Sequence, residues 1–241
     1  MNLVVVSNRV AREKPNEPMT GGLAAALLPV VEKSGAIWVG SSGRVRDGNQ
    51  KEPFAEIEAL GAGALAMLDL PAAHYGGYYE GFANSALWPA LHSRPDLIRA
   101  SQEDYVSYRE VNAFMARALL RFRKPDTGFW IQDYHFLALG AELRDLGVTQ
   151  PIGLFLHTPW PTHSVIGGVP HHRDLMRQEL GDGAIPSPSD PLSREPKPPP
   201  GPSPLAGYRG KIFSTIQTQQ GPFKHPVARH RLPPAPRDHH T

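Results

Sequence analysis

Leu3-Val4-Val5-Val6-Ser7-Asn8-Arg9, followed by Gly21-Gly22-Leu23, is the stretch that decides the fold. A β-branched run bounded by polar residues reads as a buried strand. A glycine pair at a helix start lets backbone N–H groups approach an anion, which the helix dipole also favours. Arg9, at the strand's carboxyl end, adds a planar charged donor suited to phosphate. Together these features suggest a phosphorylated ligand at the first crossover of a doubly wound sheet. A surface arginine and an ordinary loop glycine would be written with the same letters, so this segment alone leaves both readings open.

Working outward, strand-like runs recur at Ala36–Val39, Ala64–Leu68, Phe129–Gln132 and Ile152–Leu156. Helical patterns follow most of them. Gly22–Lys33 is rich in alanine and leucine, with Pro29 expected to kink or restart it. Tyr105–Phe122 sets Val111, Met115, Ala118, Leu119 and Phe122 on one face at helical spacing. Phe136–Leu146 ends at Gly147, a candidate C-cap. Alternating strands and helices predict an α/β fold with a parallel sheet, whose ligands bind beyond the carboxyl ends of the strands.

The pattern stops near Gln178. Of the 26 prolines, 14 fall in the 63 residues from Glu179 onward, whereas Trp38, Trp88, Trp130 and Trp160 all precede it. Runs such as Glu195-Pro196-Lys197-Pro198-Pro199-Pro200 form neither helices nor central strands. The expected organisation is a Rossmann-like domain over 1–178 and a low-complexity, Pro-rich, disordered tail over 179–241. A polyproline recognition tail and an out-of-frame end translated from GC-rich coding sequence are the other readings of that tail. The net charge of +2, without a basic run interleaved with aromatics, does not indicate nucleic acid. The absence of cysteine excludes disulfides and thiolate metal sites and fits a cytoplasmic protein. No signal peptide is read at the N-terminus, and no run approaches the ~20 apolar residues that span a bilayer.

Chemistry-bearing residues gather where the predicted strands end. Asp133 follows the Phe129–Gln132 strand and His157 follows Ile152–Leu156, on the same rim to which the first strand delivers Arg9. A carboxylate accepts hydrogen bonds from sugar hydroxyls, and a histidine donates to a hydroxyl or a developing oxyanion. A capping carboxylate and a packed imidazole are the plainer readings of each residue taken singly. No metal is expected: Asp133 and His135 are only two apart, and His171-His172 lacks a third ligand at metal spacing. The aromatic segment from Tyr78 to His92 combines rings and polar handles that suit sugar faces, though rings also fill core edges.

The order of five segments is the specific signal. Val4-Val5-Val6-Ser7-Asn8-Arg9, Gly21-Gly22-Leu23, Tyr78-Tyr79 with Asn84-Ser85 and Leu87-Trp88-Pro89, Trp130-Ile131-Gln132-Asp133-Tyr134-His135, and Phe155-Leu156-His157-Thr158-Pro159-Trp160-Pro161 together resemble the trehalose-6-phosphate synthase family. The resemblance implies the N-terminal half of a double-Rossmann (B-type) glycosyltransferase. It implies retaining transfer of glucose from UDP-glucose to glucose 6-phosphate, with no cofactor, essential metal or covalent enzyme intermediate. By the same resemblance Arg9 and Gly22 face phosphate groups of acceptor and donor, and Tyr79 and Trp88 hold glucose 6-phosphate. Asp133 binds its hydroxyls, and His157 contacts the donor glucose and helps stabilise the transition state. Two departures stand out. Ser41-Ser42 occupies a place where the family often has a tryptophan. A second Rossmann domain, with its Arg–Lys clamp for the diphosphate, is not recognised after Gln178. The chain alone is therefore expected to be a weak or inactive catalyst that binds glucose 6-phosphate, and UDP-glucose weakly if at all. The alternatives are a non-catalytic sugar-phosphate binding module, or a frame-disrupted fragment.

Overall fold

The computed structural model describes residues 2–10, 22–47, 53 and 55–175 of the 241-residue chain. Strand β1 (Asn2–Arg9) leads into helix α1 (Gly22–Ser34), and then come β2 (Ile37–Arg46), β3 (Ala55–Leu60) and β4 (Gly63–Pro71). A continuous helical stretch follows: α2 (Ala72–Gly76), π-helical turns over Gly77–Leu87, and α3 (Trp88–Leu91). Helix α4 (Gln102–Leu119), β5 (Thr127–Gln132), α5 (Leu139–Asp145), β6 (Ile152–Phe155) and α6 (His163–Ile166) complete the described residues.

The six strands form one sheet in the order β3-β4-β2-β1-β5-β6. Every neighbouring pair is parallel except β3 with β4, an antiparallel hairpin at one edge. The α/β, Rossmann-like expectation therefore holds. The strand order leaves β1 in opposite directions toward β2 and β5, so β1 flanks the point where ligands bind in open parallel sheets. The predicted tail over 179–241 lies outside the described residues. Among those residues, no helix is long and apolar enough to cross a membrane.

Both faces of the sheet are covered, and the period of two along each strand sorts the side chains. Val4, Val6, Val39, Ala66, Leu68, Phe129 and Ile131 join the core beneath α4 and the π-helical turns. Val5, Trp38, Leu65 and Met67 face the other way, against Ala24, Leu27, Leu28 and Val31 of α1. An unbroken valine run is what a strand buried on two sides requires. Each such side chain contributes about 1.5–3 kcal/mol when taken fully from water.

One local expectation differs from the outcome, and one strand lies outside those expected. Helix α1 runs through Pro29 without restarting. Ala25, Ala26 and Pro29 all face solvent, so water can satisfy a carbonyl that proline leaves without its helical donor. Ala55–Leu60 is not a continuous apolar run, because Glu56 and Glu58 alternate with Ala55, Ile57 and Ala59. It forms an edge strand, where charges are tolerated and discourage further pairing.

Candidate functional site

The carboxyl end of β1 is shaped by a close approach of two backbones. The β1–β2 register shifts between Val6 and Arg9, and a methyl group built on Gly40 would lie 2.4 Å from the Ser7 carbonyl oxygen. Trp38 Nε1–H donates to Ser7 Oγ at 2.8 Å, and Ser7 Oγ donates to the Arg9 carbonyl at 2.9 Å. The Arg9 side chain then emerges exposed on the rim, lying over Gly43, where an added Cβ would sit 2.5 Å from a guanidinium nitrogen. Gly43 has φ +85°, so both its conformation and its bareness suit this cradle. Ser41, in the place noted for its departure from the family pattern, is buried and accepts the Gly43 N–H at 3.0 Å.

A row of rings extends from Arg9. Its charge reaches the Tyr75 hydroxyl, whose pKa burial raises and Arg9 offsets in part. Tyr75 stacks on Tyr79 (centroids 5.6 Å apart), Tyr79 on His135 (5.7 Å), and His135 on Tyr134 (4.2 Å). Tyr134 donates its hydroxyl to Asn84 Oδ1 at 3.0 Å. Burial lowers the His135 pKa to about 4, so its imidazole is neutral at pH 7, and its Nδ1 is buried without a hydrogen-bond partner.

Asp133 sits at the head of this row with φ +69° and ψ 174°. An L-residue there costs about 1–3 kcal/mol, a strain that surrounding contacts must sustain. Its N–H donates to the Phe155 carbonyl at 2.7 Å, tying the end of β5 to that of β6. Its Oδ1 is buried and unpaired, an acceptor suited to a hydroxyl donor. His157 stands beyond β6, with Nε2 3.2 Å from Gln132 Oε1 and its ring edge-on to Phe155 at 4.9 Å. The Nε2–H tautomer donates to Gln132 and leaves the Nδ1 lone pair as an acceptor.

The π-helical turns explain the spacing of the two aromatic candidates. The Trp88 N–H bonds back to the Ala83 carbonyl, five residues earlier. A turn closed by i→i+5 bonds holds roughly 4.4 residues, against roughly 3.6 in an α-helix. The nine-residue step from Tyr79 to Trp88 is then close to two whole turns. Trp88 is 42% exposed and stacks on His92 at 4.1 Å rather than on the Tyr79 row.

Structure thus gathers Arg9, Tyr79 and Asp133 around one row of rings and sets His157 on the adjoining strand end. Trp88 stands two turns from Tyr79. Gly22 is the first residue of α1, exposed, with open space where a side chain would be. The end of α1 adjoins the start of β4, since Ala62 N–H donates to the Glu32 carbonyl, so its beginning lies toward the carboxyl rim. Gly21 lies outside the described residues. Sequence reasoning missed Gly43, Tyr75 and the part played by His135, although His135 stands inside a quoted motif. Among the described residues no group of three His, Cys, Asp or Glu side chains is placed to hold a metal.

This arrangement offers a cation, sugar-sized aromatic faces, an unpaired carboxylate oxygen and a histidine at the switch point of a parallel sheet. Comparison with known proteins finds relatives over most of the chain. The trehalose-6-phosphate synthase of Klebsiella pneumoniae is 39% identical over 176 residues, which is 73% of this chain and 36% of the relative. The alpha,alpha-trehalose-phosphate synthase (UDP-forming) of Burkholderia xenovorans, solved in complex with glucose-6-phosphate, superimposes with a TM-score of 0.67 at 38% identity. That match covers 74% of this chain and 38% of the other. An E. coli structure bound with UDP-2-fluoro glucose superimposes with a TM-score of 0.64 at 37% identity, over 74% and 38% of the two chains. The chain thus spans little more than a third of the length of these relatives. Residues 2–185 match the family as a continuous segment, from β1 through every described element, and the chain belongs to glycosyltransferase family 20.

Proposed function

We propose that residues 1–178 form the acceptor-binding domain of a trehalose-6-phosphate synthase, which transfers glucose from UDP-glucose to glucose 6-phosphate. The observation that carries this reading is the row from Arg9 through Tyr75, Tyr79 and His135 to Asp133, with a cation at one end and an unpaired carboxylate oxygen at the other. A phosphorylated hexose has the matching polarity: a dianion at one end, and C–H faces and hydroxyls at the other. In this reading Arg9 takes the phosphate of glucose 6-phosphate, Tyr79 and Trp88 flank the sugar, and Asp133 accepts its hydroxyls. Gly22 offers backbone N–H to donor phosphate at the start of α1. His157 contacts the donor glucose and stabilises charge as the bond to the departing diphosphate breaks. The glycosidic bond forms at the acceptor's anomeric hydroxyl with retention, without metal or covalent enzyme intermediate.

Calorimetry or ligand-observed NMR on the full chain tests this directly. Glucose 6-phosphate should bind in preference to glucose, with an affinity no better than about the millimolar range. Equal binding of the two sugars by the folded chain would refute the reading. UDP release in the presence of both substrates then separates catalyst from binding module. Turnover in the range of ~1–10³ s⁻¹ marks this chain as the catalyst, and binding without turnover marks an acceptor module.

A further inference from the structure

The turn that carries Asp133 and His135 is held chiefly from outside. Within it, the Phe136 N–H reaches the Asp133 carbonyl at 3.4 Å, a long bond for a residue at φ +69°. The shorter bonds come from α4. Tyr108, fully buried, donates its hydroxyl to the Tyr134 carbonyl at 2.8 Å and accepts the Leu137 N–H at 3.0 Å. One oxygen thus spans the turn. Asn112, fully buried one helical turn further on, donates from Nδ2 to the Tyr108 carbonyl at 2.9 Å and the His135 carbonyl at 3.3 Å. A polar side chain in a helix interior that reaches out to another segment's backbone is placed to specify that segment's shape.

The same tyrosine also packs toward the phosphate end. Tyr108 stacks on Tyr78 with ring centroids 5.9 Å apart, and Tyr78 donates its hydroxyl to Asn8 Oδ1 at 2.8 Å, next to Arg9. We propose that Tyr108 and Asn112 are positioning residues for the acceptor site, holding the Asp133–Leu137 turn in the shape that aims the Asp133 carboxylate at a sugar hydroxyl. The inference rests on the acceptor-site reading above. Neither residue touches the ligand: both act through the backbone of the turn.

Tyr108→Phe in the full chain isolates the hydroxyl, since the ring and its stacking survive. Two readouts are needed. Amide hydrogen exchange over residues 134–137 should accelerate on the order of tenfold relative to wild type while residues 129–131 of β5 are unchanged. Affinity for glucose 6-phosphate should fall about tenfold while affinity for inorganic phosphate, which needs only the Arg9 end, stays within about twofold. Should Tyr108→Phe not yield a folded chain, Asn112→Ala tests the same idea, because it removes the His135 contact and keeps a good helix former. Unchanged exchange over 134–137 would overturn the inference, as would a parallel loss of both ligands. If the wild-type chain binds no glucose 6-phosphate, the acceptor-site reading fails, and the exchange result alone then judges how the turn is held.

Discussion

Arg9 shows how little a single residue settles before its surroundings are known. Its side chain lies over a glycine of positive φ and within electrostatic reach of Tyr75, exposed on the rim. Arg9→Ala should abolish the preference for glucose 6-phosphate over glucose, because a charge-assisted contact contributes about 1.5–3 kcal/mol. Titrating both sugars against both proteins measures it, and a preference that survives would place the phosphate elsewhere. His135 makes a different prediction. Its folded pKa is about 4 against the ordinary 6.5. Above 6.5 both folded and unfolded chains hold it neutral, so it has no effect on stability there. Between 6.5 and 4 the unfolded chain binds the extra proton, so stability falls as pH falls. At pH 5 that loss is about 2 kcal/mol. Urea unfolding at pH 7 and pH 5 should show it, and His135→Phe, which keeps a stacking ring, should shrink the difference by about that amount. An identical pH dependence in the variant would mean that His135 is protonated in the fold.

At the scale of elements, the site depends on backbones that come closer than side chains permit. Gly40 lets β2 pass the Ser7 carbonyl where β1 shifts register toward Arg9. The nearest atom, the Ser7 carbonyl oxygen at 2.4 Å, is backbone and cannot swing aside, so Gly40→Ala should cost about 1–3 kcal/mol, the usual range for overpacking. For a domain of this size that lowers the melting temperature by roughly 2–4 °C per kcal/mol. An unchanged melting curve would show that the strand ends separate freely. The elements were unevenly legible. Strands β1, β2, β4 and β5 announce themselves as apolar runs, because burial on both faces leaves no room for polar residues, and edge strand β6 does so through Ile152, Leu154 and Phe155. Strand β3 does not, since an edge strand with Glu56 and Glu58 facing water carries no such signal. The π-helical turns were hidden too: a change from i→i+4 to i→i+5 bonding alters no residue preference strongly enough to read.

At the scale of the molecule, one sheet buried on two sides unites every candidate residue, and no separate substructure carries the site. We therefore expect residues 1–178 to fold as a unit without the Pro-rich segment. Limited proteolysis should cut after about Gln178 and leave a resistant N-terminal fragment, which retains the preference for glucose 6-phosphate. Loss of the whole chain without such a fragment would show that residues 179–241 belong to the fold.

The sequence by itself determined the α/β class, the central valine strand, the placing of Arg9, Asp133 and His157 after strands, and the family resemblance. Each of these is local: it follows from burial, periodicity or a run of adjacent letters. Only the tertiary structure decided that Arg9 comes within electrostatic reach of Tyr75, that Tyr79 and Tyr134 stack on a neutral His135, and that Tyr108 and Asn112 of α4 close the turn after Asp133. Apart from the stack of the adjacent Tyr134 and His135, those pairings join residues from 23 to 66 positions apart. They are set by how helices pack over the sheet, which no periodicity along the chain encodes.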